Sequence, residues 1–399
     1  MTPAHPPAAG PLSGIRVVDL TQVVSGPAAM GTLASQGAEV IKVEALSGDV
    51  TRRSRQKSPG FAPSYIACNS GKQAIALDLK NPATADILWR LIERADVFAQ
   101  NFRPGAIERL GFGAEAVMAR NPKLVYLSIN GVGETGPYAS KRVYDPIIQA
   151  LSGMAHIQAD PTSGRPKMVR TLVADKITAI YAAQAVTAAL VARGQSGAGQ
   201  HVRISMLDAM LSYLWPEGMA NYSVVEDGAQ DIPATAHDMI FPTADGYVTF
   251  GAVSDAEWRG LCAALDKPEW VDDPRFATPA ARSANRQERL TLVEAEIAGR
   301  DQADVIAALE AADVPCAPVL RRSDVLNDPQ VAANQTVHEI DQPGVGPVRL
   351  ARAAARFSAT PTGAPRPAPA LGQDTDTVLT DLGFAAADIA RWRADGIIA

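Results

Sequence analysis

The chain has 399 residues, 47% of them hydrophobic, which supplies a large core and exceeds the size at which one core usually divides. A formal net charge of −6 argues against a nucleic-acid surface, which needs clustered excess Lys and Arg, yet leaves room for a local basic patch facing an anionic ligand. Three widely spaced cysteines, Cys68, Cys262 and Cys316, form neither a CxxC pair nor a disulfide or metal framework and read as reduced thiols.

Residues 1–14 are rich in Pro and Ala and show neither a basic nor an apolar leader region, so a cytoplasmic protein is expected. The β-branched runs at 15–20 (IRVVDL) and 39–43 (EVIKV) predict buried strands. Between them lies a helix with Ser25 as its cap, Pro27 in its first turn and Gly37 at its end, completing a βαβ unit. Further strands are predicted at 73–79, 96–99 and 124–129, separated by helical patterns such as 82–93. Strands alternating with helices imply an α/β fold with a parallel, doubly wound sheet.

Residues 171–193 are apolar nearly all round, and from Asp175 onward they read as a helix buried on most faces and stopped by Gly194. Its most apolar part, 177–191, is shorter than the roughly 20 residues that span a bilayer and carries Thr178, Tyr181, Gln184 and Thr187. A second long helix is expected at 206–222. The character then changes, and residues 225–325, with strand patterns GYVTFGAV and VPCAPVL, read as a smaller α/β domain. The expected division is a large domain from 1–224, the small domain at 225–325, and a return to the large domain at 326–399. Within that return, residues 360–370 (TPTGAPRPAPA) read as an extended strap before two closing helices.

The chain lacks GxGxxG after the first strand, a Walker A lysine loop, HExxH and GxSxG, which lowers the prior for NAD, ATP and zinc chemistry. The histidines, His5, His156, His201, His237 and His338, sit in no metal or general-base motif and read as structural or surface residues. A catalyst built on a carboxylate is therefore favoured. Asp175 follows an apolar run and opens the long helix. By spacing it suits an N-cap first, with Thr178 three residues on, and the same geometry also serves a nucleophile whose ionised form the helix terminus favours. Three features could meet a phosphate or merely face solvent: the helix start Ser25-Gly26-Pro27, the arginines Arg52, Arg53 and Arg55, and Arg109.

Taken together, several stretches resemble the family III CoA-transferases, which include formyl-CoA and carnitine CoA-transferases. They are PLSGIRVVDLTQVVSGPAAMGTLASQGAEVIKVE, SGDVTRR, NSGKQAIALDLK, ADVFAQNFRPGAIERLGFG, NPKLVYLSINGVGETGPY, VYDPIIQALSG, GQSGAGQHVRISMLDAML and LGQDTDTVLTDLGF. The resemblance implies a Rossmann-like large domain made from both ends of the chain, a smaller α/β domain, and an interlocked homodimer. It implies CoA transfer between carboxylic acids with Asp175 as nucleophile and Asp145 as a second catalytic candidate or a loop anchor. Acyl-CoA and the acid are the implied substrates, with no permanently bound cofactor, metal, nucleic acid or membrane. The implied CoA contacts are Val24 and Ser25; Leu77, Asp78, Leu79 and Lys80; Asn101, Phe102 and Arg103; Arg109; and Arg142, Val143 and Tyr144. Gln22, Ala45 and Asp374 depart from residues that family members carry, so the resemblance conveys the reaction class and not oxalate as substrate. Racemases of the same family need a histidine just before the aspartate of VYDPII, where this chain has Tyr144. A CoA-binding paralogue without catalysis is the third alternative.

Overall fold

The computed structural model describes residues 9–54, 58–160, 163–225 and 239–399. They form two compact units, one within Met1–Pro233 and Gln335–Ala399, the other within Ala234–Asn334.

The first unit is built on six parallel strands: β1 (Arg16–Asp19), β2 (Glu39–Glu44), β3 (Gln73–Ala76), β4 (Val97–Gln100), β5 (Val125–Asn130) and β6 (His201–Ser205). Their order is β3-β2-β1-β4-β5-β6, so the winding reverses between β1 and β4. Val17, Val40, Val97, Val125 and Leu127 enter the core on one face, against helices α1 (Ser25–Ser35) and α4 (Val173–Ser196). Val18, Ile75, Phe98 and Tyr126 enter it on the other, with α2 (Pro82–Arg94) and the closing helices α6 (Thr375–Asp381) and α7 (Ala386–Ala394). Burial on both faces explains why these strands read as continuous apolar runs. Leu33, Ile75 and Ile87 are fully buried, and each such side chain stabilises the fold by roughly 1.5–3 kcal/mol.

Helices α3 (Asp145–Leu151) and α5 (Met206–Leu214) meet the start of α4 around Ile148, Ala174, Ile177 and Met210. The expected helix at 206–222 is thus shorter, with only a 3₁₀ turn at Ala220–Tyr222 beyond it. Helix α4 passes the expected stop at Gly194 and ends at Ser196, where Gly197 adopts φ +73° and donates its N–H to Arg193. Its burial is one-sided, because Ile180 and Val191 remain exposed. By length and composition this helix could cross a membrane, yet its other face is packed into the core against α1.

A hairpin of β10 (Val337–Gln342) and β11 (Gly346–Ala351) also belongs to this unit, and the Gln342 side chain holds Ala368 of the extended strap through both of its backbone polar groups. The second unit has an antiparallel sheet of β7 (Ile240–Pro242), β8 (Tyr247–Phe250) and β9 (Cys316–Pro318), packed on Trp258, Phe276 and Ile297. Its helix Asp255–Ala264 starts at a capping box between Ser254 and Glu257.

Candidate active site

The winding reversal opens a cleft of about 620 Å³ beyond the ends of β1 and β4, where ligands of doubly wound sheets bind. One wall is the turn from β1 into α1. Every polar backbone group that this turn presents from Thr21 to the Val23 N–H is held by a side chain. The Thr21 N–H donates to Asp19 at 2.9 Å, and the Lys42 ammonium donates to the Thr21 carbonyl at 2.8 Å. Asn101 accepts the Gln22 N–H and donates to the Gln22 carbonyl, both at 2.8 Å. The Val23 N–H reaches the Asp49 carboxylate at 3.3 Å, and Lys42 pairs with the same carboxylate at 3.1 Å with both side chains fully buried. Val23 stands at φ +73°, a left-handed conformation rare for a β-branched residue. A Cβ on Gly26 would lie 2.3 Å from Thr21 Cβ, so only glycine fits there.

This turn changes the expected role of Ser25. The helix is capped by the Val24 backbone without a side-chain bond, and Ser25 is its first residue. Ser25 lies instead in the same cleft as the Asp175 carboxylate, where its hydroxyl and backbone N–H act to favour the ionised form.

Asp175 lines the cleft and is 8% exposed. It is not the cap of α4, which begins two residues earlier at Val173, and the Thr178 hydroxyl bonds back to the Ala174 carbonyl at 2.7 Å. The carboxylate is therefore free of any capping duty. Burial and the neighbouring charge of Asp145 push its pKa up to about 6, against the lowering effect of the Ser25 hydrogen bonds and Lys176. The helix terminus favours the anion by at most about 2 kcal/mol, which is less than burial can cost. Asp145, 2% exposed, accepts the Asp175 N–H at 3.1 Å and the Gln149 amide at 2.6 Å. Its side chain thus anchors the start of α4.

Around the mouth stand Arg103, Lys141 and Arg142, none of which forms an ion pair with a described residue. Val143 and Tyr144 line the cleft with them, and Gly131 passes so close to Val143 that a Cβ would lie 2.0 Å from its methyl. The structure thereby brings together Ser25, Asn101, Phe102, Arg103, Arg142, Val143, Tyr144 and Asp175, with Val24 and Asp145 directly behind. Leu77, Asp78, Leu79, Lys80 and Arg109 lie outside this lining. Leu77 is fully buried and pairs with Ile398, which leaves Asp78, Leu79 and Lys80 as the accessible part of that group. Arg52 is no phosphate ligand: it is 3% exposed and spends its guanidinium on Glu44 at 2.6 and 2.8 Å. Arg53 bonds the Ser47 carbonyl, and Arg55 lies outside the described residues.

Sequence reasoning missed Lys42, Asp49, Gln149 and Lys141. A lone lysine inside EVIKV was a usable signal, since a buried ammonium needs a carboxylate. The i, i+4 spacing of Asp145 and Gln149 on one short helix was another.

The family model described as CoA-transferase family III matches residues 12–375. A succinate–glutarate CoA-transferase of Agrobacterium fabrum is 36% identical over 389 residues, covering 93% of this chain and 96% of its own. A formyl-CoA:oxalate CoA-transferase of Escherichia coli is 32% identical over 416 residues, covering 97% and 99%. The crystal structure of a CAIB/BAIF family protein from Brucella suis superposes with a TM-score of 0.83 at 31% identity, over 94% of this chain and 100% of the other.

Proposed function

Because the chain belongs to the family III CoA-transferases and is a CoA-transferase, we propose that Asp175 carries the transfer as its covalent nucleophile. The observation that supports this is a carboxylate desolvated at the base of a cleft, beside backbone and hydroxyl donors of Ser25, with no other task. Its oxygen attacks the acyl-CoA carbonyl, the C–S bond breaks, and a mixed anhydride and CoA thiolate result. The thiolate then attacks the aspartyl carbonyl, releasing the first acid and leaving an aspartyl-CoA thioester. The acceptor carboxylate attacks that thioester to form a second anhydride, and the thiolate finally takes the acceptor's acyl carbon, freeing Asp175. Each step exchanges one activated carbonyl for another, so the thioester energy is kept.

The raised pKa serves this chemistry, since a more basic carboxylate is a better nucleophile and still ionised at neutral pH. Val24 and Ser25, Asp78 to Lys80, Asn101 to Arg103, Arg109 and Arg142 to Tyr144 hold CoA, with cations toward its phosphates. The named relatives handle succinate, glutarate and oxalate, and Lys141, the cation at the cleft mouth not assigned to CoA, suits the second carboxylate of a short dicarboxylic acid as one partner here. No histidine stands among the described residues lining the cleft, which disfavours α-proton exchange. The protein works as a cytoplasmic, interlocked homodimer. Ile180 and Val191, three turns apart on α4 and 68% and 61% exposed, are two large apolar side chains that a partner subunit would cover.

The test is intact-protein mass spectrometry after incubation with short acyl-CoAs, followed by hydroxylamine trapping. An acyl or CoA adduct that maps to Asp175 and is missing in Asp175→Ala is the expected result. Full exchange activity in that variant would dismiss the nucleophile. Sedimentation should report a dimer, and a monomer with full activity would dismiss the assembly.

A further inference from the structure

We propose that Asn101 is a positioning residue that holds Val23 in its left-handed turn and so keeps the Ser25 donors against the Asp175 carboxylate. The inference rests on the reading of Asp175 as nucleophile. Its ground is the exhaustive capture of the turn. Asn101 uses both ends of its amide on the Gln22 backbone, at 2.8 Å each, and the Asp49 carboxylate takes the next N–H. Asp49 is itself fixed by Lys42 at 3.1 Å and by the Thr51 N–H at 2.9 Å.

A valine at φ +73° is sterically disfavoured and persists only where surrounding contacts over-determine it. Here they do, from two directions: Asn101 comes from the end of β4, and Asp49 follows β2. Helix α1 begins two residues after the strained one, so the φ of Val23 sets where the Ser25 N–H and hydroxyl point. With its amide committed to Gln22, Asn101 has no donor left facing the carbonyl and one amide hydrogen at most for a ligand. Relaxation of Val23 to negative φ would swing Ser25 away from Asp175.

Two measurements separate this inference from the nucleophile reading. The first needs no chemistry. Val23→Gly removes the steric penalty while keeping the turn accessible, so it should raise the melting temperature by a few degrees. An unchanged or lower value would show that Val23 stores no strain and would overturn the proposal without touching Asp175.

The second is kinetic. Asn101→Ala should lower kcat on the order of tenfold or more, a larger effect than the rise in KM for the acyl-CoA that its loss as a CoA contact brings. The acid limb of its pH profile should move upward, because Ser25 no longer favours the ionised carboxylate. The other titratable groups near Asp175, namely Asp145, Lys176 and Cys68, are unaltered in this variant. Adding Val23→Gly to Asn101→Ala should restore most of kcat, since glycine occupies the turn without a clamp. A raised KM with unchanged kcat would make Asn101 a plain CoA contact, and absence of rescue would make its role generally structural. Either result overturns the proposal.

Discussion

The Asp145 carboxylate accepts the backbone N–H of Asp175 at 3.1 Å and sets a second negative charge beside the Asp175 side chain. One contact therefore orients the helix start and raises the basicity of the group that it carries. Asp145→Asn removes the charge while keeping an acceptor oxygen. The acid limb of the kcat profile should then move to lower pH, and kcat on the plateau should fall as the carboxylate loses basicity. A limb that stays in place would show that burial alone sets it.

The same shift bears on stability. The Asp175 carboxyl has a folded pKa of about 6 against an ordinary aspartate value of about 3.9, so folding favours its protonated form. The folded chain accordingly loses stability as pH rises from about 4 through 6, by roughly 3 kcal/mol in all at about 1.4 kcal/mol per unit. Asp175→Asn should be the more stable protein at pH 7.5, and its advantage should shrink toward pH 4. Denaturant titration at the two pH values checks this, and equal stability at pH 7.5 would contradict a strained carboxylate.

Gly26 is a packing constraint rather than a hinge. Alanine there would set Cβ 2.3 Å from Thr21 Cβ, forcing the turn apart at a cost of about 1–3 kcal/mol. Gly26→Ala should lower both stability and kcat, measured by urea unfolding and by exchange assay. A variant with parental kcat would mean that the turn tolerates displacement.

Arg142 stands at the cleft mouth without an ion pair among the described residues. Its replacement by alanine should raise KM for the acyl-CoA about tenfold while kcat changes less, because it grips ground state and transition state alike. Steeper loss in kcat than in KM would place the guanidinium at the reacting carbonyl instead.

How much of this was legible follows from where each signal originates. β1 and β2 announce themselves because Val17 and Val18 are buried on opposite faces, and the sequence carries that as an uninterrupted apolar run. β6 escaped because it is an edge strand whose Arg203 points outward to Glu134, leaving no such run. Asp175 was visible as the start of a helix, but its two readings differ only in where the first turn begins, and no spacing rule fixes that to two residues. The clamp by Asn101 was invisible for a different reason: it joins a side chain to a backbone 79 positions away, and propensities see only neighbours.

The closing segment has a consequence in time. Asp374 pairs with Ala74 through both its N–H and its carboxylate, and the Ala399 N–H donates to the Ala76 carbonyl, so the cover of edge strand β3 comes from residues 300 positions later. At about 5–20 residues per second, a ribosome needs roughly 15–60 s to deliver them. For that interval the nascent sheet has an open flank of unpaired amides, which is the period when a chaperone would matter most.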